Sequence, residues 1–444
     1  MDAARRETVW ETWERTVAAE SGALIVVEAG SGRAFTRGAL HALALDWARR
    51  APAEAAPGET VAFCIPNGAG WLAAFLGAQK LGMAALPLDG ALPDSRQRNQ
   101  AGALGGHWLV EADGRWTRLA ADAPAPARGE ICLIKTTSGS TGEPKPLPFS
   151  SANMLADGRN IIASMGIGPA DRNLGAIPFG HSYGLGNLVM PLIVQGTPVI
   201  ATAEMLPGGL ATLVAEFGAT VLPSVPAVLR ALAESASIDL RPLRRVISAG
   251  APLRAGLAAE FAAKLGLQIH NFYGSTETGG ICFDRTGECA GAGTPLDGVQ
   301  VALDEDGRVR VRSAAVSDAL GGEYQLPDLG AWNERGELVL TGRATPLANI
   351  GGRKVAPSEI ERALRELPGV SDAWVGIGQR AGDEDFLLAA VETRRTRDEI
   401  RAMLNGRLPA WQMPRSMWVT DQLPRTPRGK LDRAELERRC RPEF

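Results

Sequence analysis

Histidine and tyrosine are scarce in this 444-residue chain, with four and three copies, and its five cysteines lie far apart in sequence. With so few histidines, and with Cys282 and Cys289 spaced too widely for a zinc knuckle, the chain lacks the material for a metal cage made of protein ligands. Scattered cysteines also exclude a disulfide framework and fit a reducing, cytoplasmic setting. Charge of one sign is missing too. The 47 Lys and Arg against 50 Asp and Glu leave a net charge of −3, which gives nucleic acid or an anionic membrane nothing to attract. No apolar run reaches the length of a membrane span, and the polar N-terminal stretch around Trp10 and Trp13 is not the core of a signal peptide.

What is present is the composition of an ordinary globular protein, 45% hydrophobic and 22% charged, long enough for two or three domains. Thr60–Ile65 reads as a buried strand. Trp71, Leu72, Phe75 and Leu76 then fall at helical spacing before Gly82, and Met83–Leu88 reads as the next strand. This βαβ rhythm, repeated near Thr197–Ile200, Ala219–Leu222 and Arg245–Ser248, predicts an α/β fold with parallel sheets. From about Val299 the pattern changes to alternating strands with tight turns, the first at Asp306-Gly307 and the second at Arg335-Gly336. Beyond Arg343 a small α+β unit is expected, with a helix starting at Pro357 and presenting Ile360, Leu364 and Leu367 on one face. Ala121–Arg128, rich in Ala and Pro, reads as a linker.

Directly after the apolar run Ile131–Ile134 stands Thr136-Thr137-Ser138-Gly139-Ser140-Thr141-Gly142-Glu143-Pro144-Lys145. Glycines let backbone N–H groups approach phosphate oxygens, hydroxyls add donors, and Lys145 adds positive charge. The spacing is not that of a Walker loop, and a Ser/Gly-rich surface linker has a similar composition. Four later segments narrow the choice. Asn271-Phe272-Tyr273-Gly274-Ser275-Thr276-Glu277 offers an aromatic ring, a hydroxyl and a carboxylate within seven positions. Asp328 lies in Tyr324–Gly330 as an exposed-looking carboxylate, although a lone aspartate there is more often a turn residue. Arg343 is followed by Asn349–Glu361 with its Gly351-Gly352 pair, and Lys430 lies in the Gly/Pro-rich stretch Leu423–Arg433.

In this order and spacing the motifs identify the chain as resembling the adenylate-forming superfamily: acyl- and aryl-CoA synthetases, adenylation domains and firefly luciferase. The resemblance runs from about Gly58 to Arg433. It implies a large N-terminal domain of two β/α lobes plus a distorted β-barrel (1–344), and a small mobile α+β C-terminal domain (345–444). It implies ATP-dependent activation of a carboxylic acid, fatty or aromatic, to acyl-AMP with loss of pyrophosphate, followed by transfer to a pantetheine thiol. By matching position, Thr137, Ser138, Gly139, Ser140, Thr141, Gly142 and Lys145 would hold the β- and γ-phosphates. Tyr273 would lie on adenine, with Gly274 beside it and Gly250-Ala251-Pro252 facing it. Thr276 would bond the α-phosphate, Glu277 would ligate Mg²⁺, and Asp328 would take the ribose hydroxyls near Arg343. His181 would stand at the acid pocket, although a buried core histidine is the competing reading. Lys430 would act as a fixed cation on the carboxylate and α-phosphate. Gly351 and Gly352 would line the path of the thiol.

Departures from the family's pattern carry expectations of their own. Ser150-Ser151-Ala152-Asn153 replaces a common histidine, and Leu326-Pro327 replaces the usual Thr-Gly before the ribose aspartate. Thr345-Pro346 stands at the hinge, and its proline would restrict rotation or move the pivot to Ala344 or Ala348. His181-Ser182-Tyr183-Gly184 lacks the aspartate of amino-acid-activating relatives, so a plain carboxylic acid is expected. Gly184, Gly186, Ala249, Gly279 and Gly280 leave room for it. CoA is favoured as acceptor over an acyl carrier protein. A catalytically retired adenylate-binding protein is the alternative of another class, opposed by the retention of Lys145, Thr276, Glu277, Asp328, Arg343 and Lys430.

Overall fold

The computed structural model describes residues 7–89, 94–111, 113–119, 131–138, 144–235, 238–253, 256–343, 347–379, 385–424 and 431–440. Gly139, Ser140, Thr141 and Gly142 of the phosphate loop, the Thr345-Pro346 hinge and Lys430 therefore lie outside the described residues. Of Ser138 and Arg343 only the backbone is described. Contacts divide the chain into a larger unit, Met1–Thr137 with Pro146–Gly342, and a smaller one, Ser138–Lys145 with Arg343–Phe444.

The larger unit is built on two α/β sheets. In the six-stranded sheet, Thr60–Phe63 pairs in parallel with Ala84–Pro87 and with Trp108–Val110, and Leu133–Ser138 follows Ala84–Pro87. All four residues of Thr60–Phe63 are buried. Such a strand needs apolar side chains on both faces, as its sequence has. The crossover helix Ala69–Leu81 packs Trp71 edge-on to Phe63 and Phe179 and stacks it on Phe75. Ring pairs of this kind contribute about 0.5–1.5 kcal/mol each beyond their burial. The nine-stranded sheet has a parallel centre, Ile269–Ser275, Arg245–Ser248, Val221–Ser224, Asn173–Gly175 and Val199–Ala201, with antiparallel strands at both edges.

After Val299 the strands Val299–Leu303, Arg308–Ser313, Glu323–Trp332 and Leu338–Arg343 form an antiparallel sheet in chain order. The hairpin read at Asp306-Gly307 is there, in register Val301↔Val311. Two β/α lobes followed by an antiparallel β segment are thus the architecture that the sequence implied.

In the smaller unit, Val370–Gln379 and Asp385–Thr393 run antiparallel, and Ser416–Thr420 joins the latter in parallel. The helix Pro357–Arg365 starts at its proline and buries Ile360 and Leu364, with Leu367 just beyond also buried. Ala348, one of the two positions considered for the pivot, is fully buried and paired with Val355 in the hairpin Ala348–Ile350/Arg353–Val355.

Candidate active site

The parallel centre of the nine-stranded sheet gathers most of the sequence-read residues of the larger unit at one edge. Pro178–Gly184 follows Asn173–Gly175, Gly250-Ala251-Pro252 follows Arg245–Ser248, and Tyr273–Glu277 ends Ile269–Ser275. All three emerge from the carboxyl ends of parallel strands, where open α/β sheets bind their ligands. Tyr183 fastens them together. Its hydroxyl accepts from the Ser224 N–H at 3.0 Å and donates to the Ile247 carbonyl at 3.0 Å, while its ring lies 5.8 Å from that of Phe272. Burial pushes the phenol pKa upward, so the hydroxyl stays a neutral donor. His181 is exposed, in extended backbone at the start of the short helix Ser182–Gly184, and its side chain does not cap that helix. The competing reading of a buried core histidine is excluded.

Tyr273 and Asp328, 55 positions apart, meet directly: the tyrosine hydroxyl donates to Asp328 Oδ2 at 2.7 Å. Asp328 is only 7% exposed, which corrects the reading of it as a surface carboxylate. A β-bulge brings it in. Between the pairs Arg308↔Leu329 and Arg310↔Gln325 one strand advances two residues and its partner four. Leu326, Pro327 and Asp328 thus stand opposite Val309 alone. A proline donates no ladder bond and sits well in a bulge, and a bulge re-aims the side chains within it. Leu326-Pro327 therefore has a local structural role at the position where the resemblance implies Thr-Gly.

The turn bearing Thr276 and Glu277 is held from several sides. The Ser275 and Thr278 hydroxyls are 3.1 Å apart, the Ser317 N–H donates to the Glu277 carbonyl at 3.2 Å, and the Gly280 N–H donates to Asp157 Oδ1 at 2.9 Å. The side chains of Thr276 and Glu277 are half-buried and make no hydrogen bond among the described residues. A backbone fixed this firmly beneath an uncommitted carboxylate suits a ligand. Among the described residues no group of three or more His, Cys, Asp or Glu side chains is placed to hold a metal ion.

Three residues that sequence reasoning did not assign complete the surroundings. Asn153 closes a reciprocal cap with Ser150 at the start of Ser151–Met165, and its amide donates to the carbonyls of Ala314 and Val316 and to Asp318. The segment that replaces the family's common histidine thus ties this helix to the antiparallel sheet. Lys135, on Leu133–Ser138, and Asp157, on the same helix as Asn153, are both buried. No signal in the sequence marks them: a lysine in a strand and an aspartate in an amphipathic helix are ordinarily solvent-facing. Burial pulls Lys135 down and pushes Asp157 up from their ordinary ranges, and each one's charge opposes the shift of the other.

Elsewhere, Thr137 is half-buried and Lys145 exposed. In the smaller unit Gly351 and Gly352 form an exposed two-residue hairpin turn, with φ of +58° and +82°. Two positive φ values in succession are those of the turn that suits a tight hairpin, which gives both glycines a local reason to be there. No described helix is long and apolar enough to cross a membrane.

A family model described as AMP-binding enzyme matches residues 102–323, and another described as AMP-binding enzyme C-terminal domain matches residues 359–430. The chain is 27% identical to a feruloyl-CoA synthase of an Amycolatopsis species, over 86% of this chain and 89% of that protein. It is 30% identical to an anthranilate–CoA ligase of Pseudomonas aeruginosa, over 73% of this chain and 69% of that protein. The solved o-succinylbenzoate CoA synthetase of Bacillus subtilis superimposes with a TM-score of 0.85 at 21% identity, covering 98% of this chain and 99% of that one, a likeness of fold.

Proposed function

The chain belongs to the AMP-binding enzymes, and from that membership we propose that it is an AMP-forming ligase joining an aromatic carboxylic acid to the thiol of CoA. The observation that carries this reading is the hydrogen bond from Tyr273 to Asp328 of the antiparallel sheet, beside the fixed Thr276–Glu277 turn at the carboxyl edge of the nine-stranded sheet. That edge offers an aromatic ring for a purine, a carboxylate for ribose hydroxyls, and a hydroxyl and a carboxylate for the phosphate end of ATP.

In the first step a carboxylate oxygen of the acid bonds to the α-phosphorus, and the bond from that phosphorus to the β-phosphate's bridging oxygen breaks. Acyl-AMP and pyrophosphate result. Both reacting partners are anions, so fixed donors and cations must offset their repulsion. Thr276 would donate to the α-phosphate. Mg²⁺, held by Glu277, would neutralise charge developing on the departing pyrophosphate. The phosphate loop with Lys145, and Lys430 as a fixed cation, are assigned the remaining charge on the strength of the family's pattern. In the second step the CoA thiol, losing its proton, attacks the acyl carbonyl, and AMP leaves with the bonding electron pair. Gly351 and Gly352 are assigned to the thiol's path.

An aromatic acid is preferred because two of the relatives are named for feruloyl and anthranilate substrates. A carrier-protein phosphopantetheine is the other acceptor to assay. Acid-dependent ATP–pyrophosphate exchange across a panel of aryl and fatty acids, followed by thioester formation with CoA and with a carrier protein, tests the reading. Lys430→Ala is expected to lower exchange by about 10²-fold or more, the range for a lost charge-stabilising group. Unchanged exchange would remove Lys430 from the first step.

A further inference from the structure

We propose that Asp157 is a positioning residue for the adenylation step: from beneath the site it clamps the turn that carries Thr276 and Glu277, with Lys135 as its buried counter-charge. This rests on the function proposed above. The carboxylate accepts from the Gly280 N–H at 2.9 Å, three residues beyond Glu277. It also sits against Gly279, where a Cβ would overlap Asp157 Oδ1, and faces Gly186, where a Cβ would lie 3.2 Å from Asp157 Oδ2. Gly186 belongs to Leu185–Val189, which continues the segment begun at His181. One buried carboxylate thus braces two separate pieces of the candidate site, the Glu277 turn and the His181 segment.

Asp157 is 2% exposed, and its Oδ2 has no hydrogen-bond partner among the described residues. A buried carboxylate left in that state neutralises itself unless a cation compensates it. Lys135, buried as well but with no nitrogen–oxygen contact to Asp157 of 4.0 Å or less, is the cation assigned that part. It is 5% exposed, its Nζ lies 4.1 Å from the centre of the Phe149 ring, and the largest charge opposing its desolvation is that of Asp157. Burying charges without a direct ionic contact costs stability, so a positioning role accounts for Asp157 better than a stabilising one.

Two neutral double variants separate the clamp from the charge. Lys135→Met with Asp157→Asn removes both charges but leaves an amide oxygen that can accept from Gly280. Lys135→Met with Asp157→Leu removes both charges and the acceptor. MgATP affinity by calorimetry is read first, then kcat and acid KM in pyrophosphate exchange. We expect the Asn double variant to stay within about threefold of wild type in all three. The Leu double variant should lose about tenfold in MgATP affinity and tenfold or more in kcat, with acid KM within about twofold, because small displacements of reacting groups carry costs of that size. Each single variant leaves one uncompensated buried charge and should fall below the Asn double variant, while Lys135→Arg should retain function. Equal MgATP affinity and kcat in the two double variants would overturn the proposal, as would folded single variants that lose only thermal stability. If wild type binds MgATP but shows no exchange with any acid, the function is misread, and the calorimetric comparison still decides the clamp.

Discussion

Two glycine pairs in this chain look alike in sequence and differ in physical cause. Gly351-Gly352 lies in open space, with nothing within 4 Å of where a Cβ on Gly351 would sit, and what it requires is a positive φ at both residues. Gly279-Gly280 lies in a packed interior. A Cβ on Gly279 would overlap Asp157, and one on Gly280 would come within 2.5 Å of Leu296 Cδ1 and 2.9 Å of the Phe272 ring. The first pair shapes a turn, and the second makes room for a carboxylate and two apolar side chains. A glycine in a motif therefore signals either a backbone angle or a close approach, and only the surroundings tell which.

Substitutions test that difference directly, and the largest effect is expected at Gly279, which has both requirements. Its φ of +69° costs an alanine about 1–2 kcal/mol. Forced contact with Asp157 adds about 1–3 kcal/mol of overpacking. Gly279→Ala should therefore lower stability in urea by about 3 kcal/mol, and should lower MgATP affinity because Asp157 is displaced from the Glu277 turn. A loss no greater than that at Gly351 would erase the distinction between the pairs. Gly280→Ala comes next. Its φ is not positive, so only overpacking of about 1–3 kcal/mol applies. Trimming Leu296 to Ala in the same chain should restore part of that loss, which a backbone-angle effect would not allow.

This contrast also marks what the sequence could disclose. Strand Thr60–Phe63, helix Ala69–Leu81 and the Asp306-Gly307 hairpin were legible because periodicity and turn chemistry act over a few residues. Tyr273, Thr276 and Glu277 could be singled out as candidates because they share one short motif at a strand end. Lys135 and Asp157 were not, since the burial that gives a charged pair its meaning comes from two elements 22 positions apart packing beneath a third. Asp328 was read as a candidate but with the wrong exposure. A two-residue excess in one strand against its partner turns it inward, and no local pattern announces a bulge.

The smallest effects are expected at the open pair, and they sharpen the comparison most. Gly351→Ala keeps ample space but places a Cβ on a residue with φ of +58°, so stability should fall by about 1 kcal/mol. Gly351→Asn should recover nearly all of that, because asparagine tolerates the left-handed region through local hydrogen bonding. The same change at Gly279 should recover nothing, since the added atoms would still meet Asp157. Urea midpoints of the four variants, Ala and Asn at each position, give the pattern directly. The thiol assignment adds a second reading of the same proteins. If the turn only needs its angle, Gly351→Asn forms thioester as fast as wild type. If a pantetheine arm passes close to the backbone, the asparagine side chain slows thioester formation more than pyrophosphate exchange even though stability is restored.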